Sequence, residues 1–159
     1  MITLRRIMEF FPENGIHTLN LKRPDAMFGG AVILIEKTQL SLKNQIHFVE
    51  ESAFIDLLKP EDIPPDITLI FGFDSEESMR GQTGLVERLR QVENCFILTN
   101  HALMHRLYMD VCNLFDVHAK MHTALMQVSG MIARDAGLQS ITDAIADAFG
   151  TTTAVIDNV

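Results

Sequence analysis

Hydrophobic residues in the first part of the chain form short blocks whose spacing predicts β-strands. Residues 16–21 alternate between apolar and polar types, which is typical of a strand with one buried face. Residues 31–35, 67–73 and 95–99 are almost unbroken apolar runs rich in β-branched or aromatic side chains, a pattern that predicts fully buried strands. A shorter run at 46–49 predicts one more strand.

Short helical patterns separate these predicted strands. Thr3 can cap a helix that runs to Phe11, and similar patterns occur at residues 52–58 and 85–92. Strands that alternate with short helices favour an α/β layer with parallel pairing in at least part of the sheet. We therefore predict an α/β fold over residues 1–100, with a small mixed or partly parallel sheet.

From Ala102 the pattern is helical, and no glycine or proline occurs before Gly130. Two series of mostly apolar residues each repeat every seven positions, and together they form an a/d heptad array. This array predicts a long, coiled-coil-like helix over residues 101–135 that pairs two copies of the chain. The predicted dimer interface consists of Met104, Leu107, Val111, Leu114, His118, Met121, Leu125, Val128 and Ile132.

The last part of the chain, residues 136–159, predicts a second helix followed by a strand. Leu138, Ile141, Ile145 and Phe149 mark the apolar face of this helix, and Gly150 is placed to cap its C-terminus. Residues 152–157 then favour a strand. Because a strand needs a neighbour to pair with, we expect it to be the first strand of a further, truncated domain.

Composition and charge narrow the classes of partner. Of the 159 residues, 13 are Lys or Arg and 21 are Asp or Glu, so the formal net charge of −8 opposes direct binding of nucleic acid by this segment. No apolar run reaches the ~18 residues of a membrane span. The two cysteines do not form a disulfide framework. We expect a soluble, cytoplasmic protein that is not bound to a membrane.

The order of patterns downstream of residue 65 resembles the N-terminal sensory region of PucR/CdaR-type bacterial transcriptional regulators. The likeness lies in the segments LIFGFDSEES, LRQVENCFILTN and LMHRLYMDVCNLF, followed by ALMQVSGMI, ITDAIADAFG and TTAVIDN. In that family a similar run opens a GAF-like region. The likeness covers residues 65–159 well and residues 1–64 loosely, and residues 151–153 are threonines where the family often has a proline.

The resemblance implies an effector-sensing and dimerisation region whose DNA-binding domain is absent from this chain. The implied partners are a second copy of the chain and a small-molecule effector of unknown identity. The full reading frame is then expected to continue through a GAF-like region into a helix-turn-helix. Pairing of the long helices, parallel or antiparallel, is left open, as is the effector pocket.

Histidine pairs on the long helix support an alternative function, a stand-alone metal- or small-molecule-binding protein. His101 and His105 are four residues apart, as are His118 and His122, so each pair shares one helical face. The two pairs face different directions, and each needs a third ligand such as Asp110, Cys112 or Asp116. Because none of these forms a zinc signature, we expect no metal site.

His118 also has a possible role of its own, since it occupies an a position among apolar residues. A polar residue at such a position can fix the register of a dimer, and protonation across a parallel pair would weaken the dimer at acidic pH. The competing interpretation is that the helix packs on its own domain and His118 lies at an edge of the contact.

No arrangement of residues predicts catalysis, so we expect no enzymatic activity, no catalytic residue and no cofactor. The serines lack a G-x-S-x-G context, and the glycine pairs lack the lysine of a phosphate-binding loop. Carboxylates cluster at residues 50–51, 61–62 and 74–77, beside predicted turns. We interpret these clusters as solvated turns rather than acid/base pairs.

Overall fold

The structure is a computed structural model that describes residues 1–134 and 137–150, except for the side chain of Phe149. Its strands are β1 (Ile2–Thr3), β2 (Ile16–Leu21), β3 (Met27–Phe28), β4 (Gly30–Ile33), β5 (Gln45–Glu50), β6 (Thr68–Gly72) and β7 (Asn94–Leu98). Its α-helices are α1 (Leu4–Met8), α2 (Glu51–Leu57), α3 (Glu76–Gly81), α4 (Thr83–Leu89), α5 (His101–Ala133) and α6 (Leu138–Phe149). Two short 3-10 helices occupy Lys37–Ser41 and Pro60–Asp62.

A five-stranded mixed sheet organises the first part of the chain, which confirms the predicted α/β class. The strand order is β2-β7-β6-β5-β4, and β1 pairs separately with β3. Strands β4 to β7 are parallel to their neighbours, whereas β2 is antiparallel to β7. Each parallel connection contains a short helical segment; helices were predicted in the connections from β5 to β6 and from β6 to β7, whereas the 3-10 helix Lys37–Ser41 between β4 and β5 was not.

Both faces of the parallel strands are covered, which is why these strands are continuous apolar runs. Side chains alternate between the faces with the period of two that a strand imposes. Val49, Phe71 and Ile97 belong to a core shared with α2 and α4, whereas Phe48, Ile70 and Phe96 belong to a second core on the opposite face. This second core is covered by α1 and by the beginning of α5.

The beginning of α5 is an integral part of the second core. Met104, Leu107 and Val111 are almost fully buried against the sheet. The helix lies close to β6: a Cβ added to Gly72 would be only 3.2 Å from Cγ of Met104. The first compact unit accordingly extends to Phe115, beyond the boundary predicted near residue 100.

The second compact unit begins at Asp116 and contains the remainder of α5 together with α6. Gly150 ends α6 with φ +62°, the left-handed conformation expected of a C-terminal glycine cap. The predicted strand at 152–157 lies outside the described residues, so the GAF-like start stays a prediction. None of the helices within residues 1–134 and 137–150 combines the length and apolar character needed to cross a bilayer.

Candidate functional site

Polar side chains gather at the edge of the sheet where the parallel strands end. Strand β5 ends at Glu50, and α5 begins at His101, shortly after the end of β7. Glu50 follows Ile46 and Phe48 at alternating positions, and therefore lies on the face of the sheet that α5 covers. Ligands bind outside the carboxyl ends of strands in many open α/β sheets, so this edge is a natural place for a site.

Glu50, His101 and His105 form a compact cluster at this edge. Oε1 of Glu50 lies 2.9 Å from Nε2 of His105 and 3.9 Å from Nδ1 of His101. The two imidazole rings meet edge to face with their centroids 4.6 Å apart. One ligand atom from each of the three residues lies within 4.8 Å of the other two. The histidines are exposed, whereas only 18% of the Glu50 side chain is accessible.

One carboxylate oxygen of Glu50 has no hydrogen-bond partner among the described residues. Oε1 is buried, and within the described part of the chain it accepts no hydrogen bond. Nε2 of His105 is close enough to be a donor, but the two groups are not aligned as a hydrogen bond. A buried carboxylate oxygen without a hydrogen bond is costly, and such atoms are often completed by an ion or a ligand.

The position of the histidines follows from the start of α5. Asn100 caps this helix, since its Oδ1 accepts hydrogen bonds from the backbone N–H groups of Ala102 at 2.9 Å and Leu103 at 3.4 Å. His101 and His105 are one helical turn apart, which places both rings over the end of β5. The sheet thus supplies the carboxylate, and a capped, packed helix supplies both imidazoles.

Glu51 follows Glu50 directly but has a structural role, which corrects the interpretation of these carboxylates as a solvated turn. Glu51 is only 2% exposed. Its Oε2 accepts a hydrogen bond from the backbone N–H of Asp74 at 2.8 Å, and its Oε1 accepts from the side chains of Ser78 and Gln82. The carboxylate therefore holds the segment that connects β6 to α3 and α4.

Two cavities in the first unit are candidate effector pockets. One, of about 460 Å³, lies at the amino ends of the parallel strands, where Gln45, His47 and Thr68 contribute to its lining. Burial lowers the pKa of His47, and its Nε2 is 3.1 Å from the carbonyl oxygen of Gln39. The second cavity, of about 420 Å³, includes Met79 and Val86 in its lining.

The structure divides the predicted dimer interface into two groups. Met104, Leu107 and Val111 are buried in their own chain, and Leu114 packs partly buried against the same core. These four side chains pack in the core of their own chain rather than facing solvent. The remaining members are accessible: Met121, Leu125 and Ile132 are exposed, and His118 and Val128 are half-buried. Whether these five residues bind a second chain stays a prediction.

None of the third ligands considered in the sequence, Asp110, Cys112 and Asp116, forms a cluster of three possible ligands with His101 and His105 among the described residues. Asp110 is in an ion pair with Arg106, and Cys112 is in hydrogen-bond contact with Tyr108, whose pKa is raised mainly by burial and further by this contact. Within the described residues, the only cluster of three such ligands uses Glu50. The sequence signal for it was a glutamate at the end of a buried strand, which becomes informative only once strand and helix are known to meet.

No protein-family model, curated protein or solved structure matches this chain. The resemblance to PucR/CdaR-type regulators therefore stays a prediction, and the function is inferred from the chain's own residues.

Proposed function

We propose that this chain is the effector-sensing and dimerisation region of a transcriptional regulator, and that it dimerises through the second part of α5. The observation that supports dimerisation most directly is an exposed heptad series beyond Phe115. Met121, Leu125 and Ile132 are 45%, 59% and 63% exposed, although all three are large and apolar. Pairing with the same helix of a second chain would remove these side chains from water.

The first unit is the proposed sensing part. It contains both cavities, and its core includes Met104, Leu107 and Val111 from the start of α5. An effector that binds one arrangement of this core more tightly than another shifts the population toward that arrangement. Because α5 is continuous from His101 to Ala133, such a shift acts on the same helix that carries the exposed series.

Binding of DNA is assigned to a separate part of the proposed regulator. The net charge of −8 disfavours contact between this segment and a phosphate backbone. The assignment to transcription depends on the resemblance to PucR/CdaR-type regulators, and the chain itself is proposed to bind and transmit rather than to catalyse.

Sedimentation equilibrium on the purified chain and two lysine variants tests the proposal. We expect the wild-type chain to have twice the 17.9 kDa monomer mass. Leu125→Lys places a charge in the proposed interface and is expected to weaken dimerisation at least about tenfold, given the ~1.5–3 kcal/mol gained when a leucine side chain is buried.

Met126→Lys is the matched control because Met126 lies next to Leu125, is 63% exposed and does not belong to the heptad series. This variant is expected to remain dimeric. A wild-type monomer at micromolar concentration, or equal effects of the two lysines, would contradict dimerisation through this face.

A further inference from the structure

The side chains at the carboxyl edge of the sheet contain more ligand chemistry than the proposed function requires. Glu50 presents a buried carboxylate oxygen that accepts no hydrogen bond within the described residues. Two imidazole nitrogens lie 2.9 and 3.9 Å from that oxygen. All three groups converge on one point although they come from two separate elements, β5 and α5.

This spacing is close to that of ligands around a single metal ion. Zinc binds imidazole nitrogen and carboxylate oxygen at ~2.0–2.2 Å, so ligand atoms in its coordination sphere are about 3–3.5 Å apart. The largest separation within the cluster is at most 4.8 Å. The exposed rings of His101 and His105 can turn by the small amount that remains, whereas Glu50 is held at the end of β5.

An ion pair between Glu50 and His105 explains the cluster less completely. The oxygen that faces the histidine has no aligned N–H, and a second imidazole lies on the same side of it. A cation at the point where the three groups meet would instead interact with the carboxylate and with a lone pair from each ring. Two histidines and one carboxylate are a donor set that suits zinc and the neighbouring divalent transition metals.

We infer that Glu50, His101 and His105 form a divalent transition-metal site. The carboxylate binds through Oε1, His101 through Nδ1 and His105 through Nε2, and the exposed side of the cluster leaves room for water or a small ligand. The site joins the end of β5 to the first turn of α5. This inference does not depend on dimerisation, since all three ligands belong to the first unit.

Equilibrium dialysis with Zn²⁺, on the full chain prepared without a histidine tag, tests the site. We expect one zinc ion per chain. The variants Glu50→Gln, His101→Gln and His105→Gln are each expected to weaken binding at least about tenfold, because each removes a metal ligand. Far-ultraviolet circular dichroism checks that every variant is folded.

The other histidine pair provides a matched control. His118 and His122 are also four residues apart on α5, but no third ligand joins them among the described residues. The double variant His118→Gln/His122→Gln is therefore expected to retain the single zinc ion with unchanged affinity. This control distinguishes a three-ligand site from chelation by any histidine pair on a helix.

Replacing Zn²⁺ by Co²⁺ adds a direct view of the ligands. Binding of Co²⁺ is expected to give visible absorption bands that change in Glu50→Gln and stay the same in the double variant. Three results would overturn the site: no zinc binding, binding that Glu50→Gln leaves unchanged, or binding lost with His118 and His122.

Discussion

The two parts of α5 have the same heptad pattern and yet differ sharply in burial. Leu107, in the first part, is 2% exposed and packs against the sheet, whereas Leu125, in the second part, is 59% exposed. Both leucines belong to the a/d array. A heptad pattern therefore identifies which face of a helix is apolar, but not whether that face is covered by its own domain or by a second chain.

The two neighbouring glutamates at the end of β5 show a similar contrast. Glu51 is buried and accepts three hydrogen bonds, whereas Oε1 of Glu50 is buried and accepts none from the residues that the structure describes. Because Glu50 is the last residue of β5 and Glu51 is the first residue of α2, the two adjacent side chains meet different surroundings. One carboxylate stabilises the fold, and the other is left for a ligand.

The largest expected difference in stability is between Leu107 and Leu125 of α5 when each is replaced by alanine. Leu107→Ala is expected to lower the free energy of unfolding by about 2–5 kcal/mol, because it opens a cavity in a packed core. Leu125→Ala is expected to change that free energy by less than about 0.5 kcal/mol at concentrations where the chain is monomeric. Urea denaturation of both variants measures the difference, and similar losses would show that the two parts of α5 are equally packed.

Replacing Glu50 or Glu51 by glutamine is expected to have a smaller effect on the free energy of unfolding. Glu51→Gln replaces one accepting oxygen by an NH₂ group that faces donors, and we expect a loss of about 1–3 kcal/mol in the free energy of unfolding. Glu50→Gln is expected to cost less than about 1 kcal/mol without metal, since its contacts are with exposed histidines. Urea denaturation in the presence of a chelator compares the variants, and equal losses would remove the distinction between them.

The smallest effect is the pH dependence that His47 contributes to the first unit. Burial lowers the pKa of His47 below its ordinary value of 6.5. The unfolded chain then binds more protons than the folded one at acidic pH, so stability is lost as pH falls below about 6.5 and through the folded pKa. The expected slope from this one group is at most ~1.4 kcal/mol per pH unit.

Denaturation of wild-type protein and His47→Gln between pH 5 and pH 8 isolates this contribution. The difference in unfolding free energy between the two proteins is expected to change below about pH 6.5 and to be constant above about pH 7.5. A difference that stays constant over the whole range would show that His47 is not protonated on unfolding.

Much of the fold could be predicted because burial leaves a local signature. Strands β5, β6 and β7 lie within one or two residues of the apolar runs that predicted them, and Gly150 caps α6 as expected. The helix α3 and the short pair β1–β3 were not predicted. Elements this short contain too few residues to show a hydrophobic periodicity.

Only the two histidines of the candidate metal site could be recognised from the sequence. The spacing of His101 and His105 is visible in the sequence because an α-helix brings residues four apart onto one face. Glu50 is far from them along the chain and comes near only because β5 and β7 are parallel strands of one mixed sheet, with α5 across its face. The sequence predicts no metal site because none of the possible third ligands Asp110, Cys112 and Asp116 forms a zinc signature with the histidines, and that expectation stays a prediction.

By itself, the sequence determined the alternation of strands and helices, the length of α5 and its apolar face, since each depends on the spacing of neighbouring residues. The tertiary structure decided which part of that face is buried in the chain's own core. It also decided that, of the adjacent residues Glu50 and Glu51, Glu51 stabilises the fold through hydrogen bonds and Glu50 faces the two histidines. Those outcomes depend on contacts between residues distant in the chain, and local spacing does not encode such contacts.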